Sequence, residues 1–305
     1  MEIVDLQMHE PGAFLPWAEA SEEARRDVLK ESLWHMMEAV GVNAVVLHPV
    51  EDMQFAEDLA TVAPGRFASV PVLIARDSAV GVTIDASGPR VSEEIAEFRR
   101  RPGVVAVRFV GSPGRFEKFK EGGYHLAFKA CEDQGIPVVL LVTGVLEMAG
   151  AIAERYPGLQ LIVDHFGLPQ RPLRDPEDPQ WTSLPQLLAL SRRRNIAVKM
   201  CGAPAMSEDG YPFADVWPWV AEVIERFGVN RVAWGSDISR FRGRMGWRGR
   251  PAAAQGEYVG KHTYMESLGF FLYNEQLSTG EKEAILGGTA RQLLGWPVAS
   301  AEEGR

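Results

Sequence analysis

The chain has 305 residues, a formal net charge of −9 and a sequence pI near 5.3. This acidic balance argues against a nucleic-acid partner, because phosphate binding requires clustered basic charge. No apolar run approaches the roughly 20 residues of a membrane span, and the first residues contain no cationic segment, so no secretory signal is expected. Composition therefore predicts a cytoplasmic protein that acts on a small molecule.

Length and cysteine content indicate how the chain is organised. An α/β barrel commonly uses about 250 residues or more as one unit, so residues 1–298 are expected to form a single domain and residues 299–305 a solvated tail. Cys131 and Cys201 lie in different predicted elements and lack metal-type spacing. Both are expected to be reduced thiols.

Short apolar runs alternate with helical patterns along the whole chain, which is typical of βαβ units and a parallel sheet. The runs are almost continuously apolar, as expected for strands covered on both faces. In chain order the predicted strands are Ile3–Gln7, Ala44–Leu47, Ala68–Ile74, Val104–Phe109, Val138–Val142, Leu159–Val163, Ile196–Met200 and Arg231–Trp234. The pattern predicts an α/β fold, a (β/α)8 TIM-type barrel.

The segments between these runs have helical spacing. Leu33, Met36 and Val40 fall on one face of a helix that is expected to end at Gly41. The same pattern precedes Gly228. Helix, glycine and strand therefore follow one another repeatedly, as a barrel requires.

Three irregular stretches interrupt the pattern. Residues 77–91 predict a minor hairpin, whereas 167–183 and 238–261 are long loops that follow strands, where barrel enzymes place their specificity. The last of these loops is rich in arginine, either as a solvated loop or as a surface that attracts an anionic substrate. Its arginines are Arg240, Arg242, Arg244, Arg248 and Arg250.

Three apolar runs end in residues that move protons or bind metals: His9, His165 and Asp237. In a parallel barrel the carboxyl ends of all strands open onto one face, so these side chains are expected to share a pocket. Alternatives remain for each residue. His165 is a proton donor or a structural histidine, and Asp237 is a general base, a metal ligand or a helix N-cap.

Charged residues inside two predicted strands require partners. Arg108 needs an anion, which is Glu57, Asp164 or a substrate carboxylate, because an unpaired buried guanidinium is costly. Lys199 poses the same question, with an internal partner favoured. His48, at the end of the second run, is a weaker candidate for the pocket.

The chain lacks the sequence motifs of several enzyme classes. There is no G-x-S-x-G elbow, phosphate-binding P-loop or dinucleotide fingerprint in a suitable context. Serine-triad hydrolases, kinases and Rossmann dehydrogenases are therefore not expected.

Five short segments, in order and spacing, resemble the amidohydrolase-2 branch of the amidohydrolase superfamily, whose members are distorted (β/α)8 barrels and include lactonases, other hydrolases and some decarboxylases. The resemblance covers nearly the whole chain and implies a hydrolase. The segments are Val4–His9, Val163–Gly167, Lys199–Gly202, Trp234–Asp237 and Gly287–Arg291.

The chain departs from the metal-binding members of that family. Their first strand ends in H-x-H, but Gln7 stands where the first histidine belongs, and residues 140–144 supply no histidine for the fifth strand. Such a site is a poor one for zinc. The resemblance to the pyrone-dicarboxylate lactonase subgroup then implies metal-free hydrolysis of a small anionic cyclic ester.

That likeness also implies roles for individual residues. Asp237 would activate water, while His9 and His165 would polarise the ester carbonyl. Arg108 would hold a substrate carboxylate, and Gln7 would donate a hydrogen bond to the oxyanion. His48, Lys199 and Arg240 are the remaining candidates for substrate binding.

Two other functions stay open. In one, His9, His165 and Asp237 hold a single zinc or manganese ion in a decarboxylase or hydrolase of an aromatic or unsaturated acid. In the other, the barrel has lost catalysis and only binds ligands. A homodimer is the expected assembly, because dimers are the commonest oligomers of soluble proteins.

Overall fold

The computed structural model describes residues 1–10, 21–49, 52–74, 83–169, 181–238 and 262–298. Its strands are short and, where they pair, parallel. They are β1 Val4–Met8, β2 Ala44–Leu47, β3 Phe67–Ser69, β4 Val72–Ile74, β5 Thr83–Asp85, β6 Val107–Val110, β7 Val138–Leu141, β8 Leu161–Val163, β9 Ile196–Cys201 and β10 Val232–Gly235.

The strands form two sheets that follow one another around a distorted barrel. One sheet has the order β1-β2-β3 and the other β10-β9-β8-β7-β6-β4-β5. A parallel bridge between Ser69 and Val104 links the two sheets. At the other junction the Asp237 N–H donates to the Gln7 carbonyl over 3.0 Å, so β1 follows β10. The predicted (β/α)8-type fold is confirmed, with a strand ladder that is not continuous.

One of the predicted strands is wrong, and one predicted hairpin lies partly outside the described residues. The third run, Ala68–Ile74, is divided between β3 and β4, because Pro71 has no N–H to give to a ladder; its carbonyl instead accepts from the Arg108 N–H over 2.8 Å. The hairpin expected within 77–91 includes residues 77–82, which lie outside the described residues, so it stays a prediction. In the described part, Thr83–Asp85 pairs in parallel with β4 and extends the sheet.

Helices cover the outside of the strands. Gly41 ends the first of them with a left-handed backbone, φ 78°, and its N–H bonds to the Glu38 and Met37 carbonyls, as the sequence predicted. The described α-helices are α1 Glu22–Val40, α2 Met53–Val62, α3 Val91–Arg99, α4 Pro113–Lys120, α5 His125–Gln134, α6 Leu146–Arg155, α7 Leu184–Ala189, α8 Trp217–Phe227, α9 Tyr264–Leu272, α10 Thr279–Glu283 and α11 Thr289–Leu294.

None of the helices in the described part of the chain combines the length and the apolar composition that crossing a bilayer requires. The helices instead bury one face against the strands. α8, for example, buries Val220, Val223 and Ile224 and ends before Gly228, as its spacing predicted.

The barrel interior holds its own apolar cluster, separate from the larger core between strands and helices. The interior side chains are mostly small, as a narrow barrel requires. The Trp296 indole donates to the Pro64 carbonyl just before β3, so the carboxyl-terminal segment closes the amino-terminal end of the barrel. The residues of this cluster that lie on the strands or directly next to them are Val4, Leu6, Ala44, Val46, Ala68, Val70, Ala106, Val139, Ile162, Ala197 and Ala233.

Candidate active site

A layer of polar side chains lies directly above the apolar interior. Alternate residues of a strand face the same side, so two residues beyond Val46, Ala106, Ile162 and Ala197 the chain continues the inward face. The residues reached in this way are His48, Arg108, Asp164 and Lys199, and all four are buried. The period-two pattern therefore places charge at the carboxyl end of the barrel.

Asp164 joins the two cations of this layer. The Arg108 Nη2 lies 2.6 Å and its Nε 2.7 Å from Asp164 Oδ2, while the Lys199 Nζ lies 2.6 Å from Oδ1. Arg108 thus has Asp164 as its partner, one of the three that the sequence left open. Glu57 instead pairs with Arg101.

Burial and neighbouring charges together determine the protonation states of Asp164 and His48. Burial alone would raise the pKa of Asp164, but the Arg108 and Lys199 charges outweigh burial and hold the pKa well below its ordinary value. Burial lowers the pKa of His48 well below its ordinary value, and the Lys199 and Arg108 charges add to this effect. The layer therefore contains a carboxylate and a neutral imidazole.

Asp237 and His165 follow β10 and β8, and both have left-handed backbones, with φ 51° at each residue. Left-handed non-glycine residues are uncommon and cluster at functional sites. Asp237 is fully buried and lies between two imidazoles: His9 Nε2 is 3.5 Å from its Oδ1, and His165 Nδ1 is 3.8 Å from its Oδ2. The three side chains predicted to converge do so.

An irregularity in β1 places its two polar residues. The register between β1 and β2 shifts between Asp5 and Met8, so that Gln7 and His9 both reach the site. His9 Nδ1 lies 2.8 Å from the His48 carbonyl, and His9 Nε2 lies 3.1 Å from Gln7 Nε2. The structure thus brings Gln7, His9 and His48 together, while their roles in substrate binding or catalysis stay predictions.

Asp5 supports this end of the barrel, and sequence reasoning missed it. Its Oδ1 accepts from the Ser236 N–H over 2.8 Å and the Gln7 N–H over 3.1 Å, and its Oδ2 accepts from the Ser236 hydroxyl over 2.5 Å. These bonds tie the residue before Asp237 to β1. Burial nevertheless raises the pKa of Asp5, because its hydrogen bonds only partly offset the cost of burying the charge.

We expect Asp5→Asn to raise the free energy of unfolding at pH 7 by roughly 0.5–2 kcal/mol, because the amide oxygen keeps both Oδ1 contacts without a buried charge. The folded chain binds the Asp5 proton more tightly than the unfolded chain does. The gain should therefore be absent below the ordinary pKa of 3.8 and grow as pH rises through the folded pKa. Urea unfolding at several pH values measures it; a gain that does not change with pH would contradict this explanation.

Cys201 is a second site residue that was not predicted. Its Sγ lies 3.0 Å from His165 Nδ1, and burial raises the pKa of its thiol above the ordinary value, which keeps it protonated. The signal was present in the sequence, because Cys201 lies two residues beyond Lys199 on the same face of β9. The expectation that it is a free thiol is confirmed, as it is for Cys131.

Some predicted residues lie outside the described residues. Arg240 and the other arginines of the loop that follows β10 belong to this group, so their contact with substrate stays a prediction. His262 is described and fully buried, with its ring 6.2 Å from that of Phe213. The described part of the site is therefore its inner wall.

A parallel barrel whose strand ends converge on a buried carboxylate between two histidines has the architecture of an acid–base or metal-assisted hydrolase. The chain belongs to the amidohydrolase family, whose sequence profile matches residues 36–296. The resemblance drawn from the five segments is confirmed.

One curated relative aligns with part of the chain. It is L-fucono-1,5-lactonase from Burkholderia ambifaria, 31% identical over 98 residues. The aligned segment covers 32% of this chain and 32% of the relative, so the match spans about a third of the length of either protein.

Solved structures match over almost the full length. An amidohydrolase from Burkholderia multivorans superposes with TM-scores of 0.69 in a form with HEPES and 0.68 in a form with zinc, at 17% identity, covering 97% of this chain and 100% of the other. A candidate 2-pyrone-4,6-dicarboxylic acid hydrolase from Pseudomonas putida gives 0.61 at 20% identity, covering 97% and 98%. At these identities the likeness establishes the fold alone.

The family implies a metal, so the donors of this chain require a test. Among the described residues, Asp164, His165 and Cys201 have donor atoms within 4.8 Å of one another. Asp164 already neutralises two cations, one at each oxygen, and one of them, the fully buried Lys199, would oppose the charge of a metal bound there. This cluster does not fit a divalent metal.

The ligands that the family resemblance implies, His9, His165 and Asp237, fit a divalent metal no better. His9 Nε2, the ring atom that faces Asp237, is occupied by the Gln7 amide, and the Gln7 Oε1 accepts from Lys199 over 2.5 Å. His9 and His165 approach different oxygens of Asp237. A metal would have to break the Lys199–Gln7–His9 contacts and sit near a buried ammonium, which opposes its charge.

Proposed function

We propose that this protein hydrolyses a lactone by metal-free acid–base chemistry, with Asp237 as the general base. One observation carries the proposal: a fully buried carboxylate, on a left-handed backbone at a strand end, lies within 4 Å of two imidazoles. Such a carboxylate can take a proton from a water molecule bound at the carboxyl end of the barrel.

The comparisons support this substrate class. The curated relative is named as a lactonase, and one structural neighbour as a hydrolase of a pyrone dicarboxylate, which is also a cyclic ester. We further propose that the substrate is small and anionic, as expected from the arginine-rich loop after β10.

The reaction balances without a further reactant. Asp237 accepts a proton from water, and the resulting hydroxide attacks the lactone carbonyl carbon to give a tetrahedral oxyanion. Collapse of this oxyanion breaks the ring C–O bond, and the proton held by Asp237 passes to the ring oxygen as it leaves. The product is a hydroxy acid, and the carboxylate of Asp237 is regenerated.

Two donors serve the oxyanion in this proposal. His165 Nδ1 faces Cys201 and Asp237, so a substrate oxygen would meet the ring through Nε2. Gln7 has two amide hydrogens, of which one is directed to His9 and the other is available for the substrate. Each donor that is aligned with the developing charge contributes about 10²–10³-fold in rate.

A lactone screen with and without chelator tests the proposal. We expect purified protein to release protons from L-fucono-1,5-lactone or 2-pyrone-4,6-dicarboxylate, with a kcat/KM of about 10⁴ M⁻¹s⁻¹ or more on a good substrate. Activity should stay within about twofold after EDTA treatment, because the mechanism uses the side chains of the chain alone.

Two outcomes would contradict the proposal. Activity that is lost on chelation and restored by zinc or manganese would favour the metal-dependent enzyme. Thermal stabilisation by both lactones without any turnover would favour a binding barrel.

A further inference from the structure

Lys199 carries a fully buried ammonium that lies against two side-chain oxygens, the Leu6 carbonyl and one imidazole nitrogen. Its Nζ lies 2.6 Å from Asp164 Oδ1, 2.5 Å from Gln7 Oε1 and 3.0 Å from His48 Nε2. Burying an ammonium costs several kcal/mol unless acceptors surround it. The barrel therefore contains a preformed site for a cation, and the ammonium group of Lys199 occupies this site.

This ammonium fixes the orientation of the Gln7 amide. An ammonium only donates hydrogen bonds, so the amide atom that faces it at 2.5 Å must be the oxygen. The amide nitrogen then faces His9, 3.1 Å from its Nε2. Rotating the amide by half a turn would direct its N–H groups at an ammonium and its oxygen at the imidazole.

The oriented amide in turn fixes the tautomer of His9. The amide nitrogen only donates, so His9 Nε2 must accept. His9 Nδ1 lies 2.8 Å from the His48 carbonyl, which only accepts, so Nδ1 must carry the hydrogen. Two independent contacts, one at each ring nitrogen, require the same neutral Nδ1–H form.

The chemistry at Asp237 depends on this tautomer. His9 Nε2 is 3.5 Å from Asp237 Oδ1, so a hydrogen on Nε2 in addition to the one on Nδ1 would give an imidazolium next to the carboxylate and weaken it as a base. Among the described residues, the other charged or titratable groups of this region are His48, Asp164, Lys199, Arg108, His165, Asp5 and Cys201. Of these, Lys199 is the group that reaches His9 through Gln7.

We propose that Lys199 is a positioning residue that replaces the organising cation of a metal site: through Gln7 it holds His9 as the Nδ1–H tautomer beside Asp237. The effect on Asp237 rests on the proposed function, whereas the contacts from Lys199 through Gln7 to His9 do not depend on it. It also changes the role that the resemblance implied for His9, which presents a lone pair at Nε2 and therefore does not polarise the substrate carbonyl.

Histidine ¹⁵N NMR of the resting enzyme tests the geometry without a substrate. The signals of the two ring nitrogens distinguish the tautomers, and loss of signals in His9→Gln assigns them among the six histidines. We expect wild-type His9 to show hydrogen on Nδ1 alone at pH 7. Hydrogen on Nε2 in the wild type would overturn the inference.

Gln7→Glu is the informative variant, because it keeps an oxygen for Lys199 and presents an acceptor, not a donor, to His9. We expect His9 Nε2 to gain a hydrogen, and this readout tests the inference by itself. We also expect kcat to fall about 10²-fold with little change in KM and with the pH profile moved to higher pH, a loss that includes the oxyanion hydrogen bond of Gln7. The exposed Gln276→Glu is the matched control and should change neither readout. An unchanged His9 spectrum in Gln7→Glu would overturn the inference.

Lys199→Met removes the cation itself. With no ammonium to hold it, the Gln7 amide is expected to rotate and accept from His9, so the His9 spectrum should resemble that of Gln7→Glu. If Lys199→Met does not fold, Gln7→Glu still decides. A wild-type protein with the expected tautomer but no lactonase activity would remove the proposed function and leave the positioning role of Lys199 intact.

Discussion

Replacing Asp237 with Asn is expected to lower kcat/KM on the lactone substrate by about 10²–10⁴-fold, the contribution of a well-placed general base. The amide cannot accept the proton of the attacking water. Because Asp237 is fully buried between His9 and His165, a base dissolved in bulk solvent does not reach its position. Initial rates of proton release over a range of substrate concentrations measure the loss.

Asn is the appropriate replacement because of the backbone. Asp237 has φ 51°, and Asn tolerates the left-handed region as well as Asp does, so the variant should not relax the strand end. The control is Asp133→Asn, the same change at an exposed position on α5, which should leave the rate unchanged. Near-wild-type turnover by the Asp237 variant, with its melting temperature retained, would rule out Asp237 as the base.

Much of the barrel and its site could be predicted from sequence because both depend on period-two alternation and on strand order. Apolar runs covered on both faces indicate parallel strands, and the carboxyl ends of such strands meet at one face. That reasoning is enough to bring together His9, His165 and Asp237. The same reasoning does not predict which residue each buried charged side chain pairs with.

The errors have local physical causes. Val70 and Pro71 are apolar and extend the third run, but a proline cannot donate to a ladder, so the strand divides there. Thr83–Asp85 is too short to be distinguished from a turn by composition. Cys201 was interpreted only as a thiol, although its place two residues after Lys199 puts it on the inward face.

The contact between Lys199 and Gln7 could not be predicted from sequence. It joins residues 192 positions apart and depends on the register shift between Asp5 and Met8, which one strand alone does not encode. Gln7 appeared to be a lost metal ligand in the sequence. In the structure Gln7 links the ammonium of Lys199 to His9. A residue of β9 therefore interacts with the position of β1 at which the chain departs from the family pattern.

Replacing Asp164 with Asn is expected to lower the free energy of unfolding by about 3–5 kcal/mol, the cost of removing one partner from a buried ion pair. Asp164 is fully buried, bonds to Arg108 and forms an ion pair with Lys199, so a neutral side chain leaves two buried cations without their anion. Urea unfolding at pH 7, followed by circular dichroism, measures the loss.

The dependence on pH separates lost charge from lost packing. The folded chain binds the Asp164 proton less tightly than the unfolded chain, because Arg108 and Lys199 favour the carboxylate. The stability that Asp164 contributes is therefore complete above its ordinary pKa of 3.8 and declines as pH falls from there toward the folded pKa. Asp133→Asn, at the exposed ion pair with Lys129, is the control and should change stability by at most about 0.5 kcal/mol. A loss for Asp164→Asn that matches the control, or that stays constant at acidic pH, would mean that the anion does not hold the two cations in place.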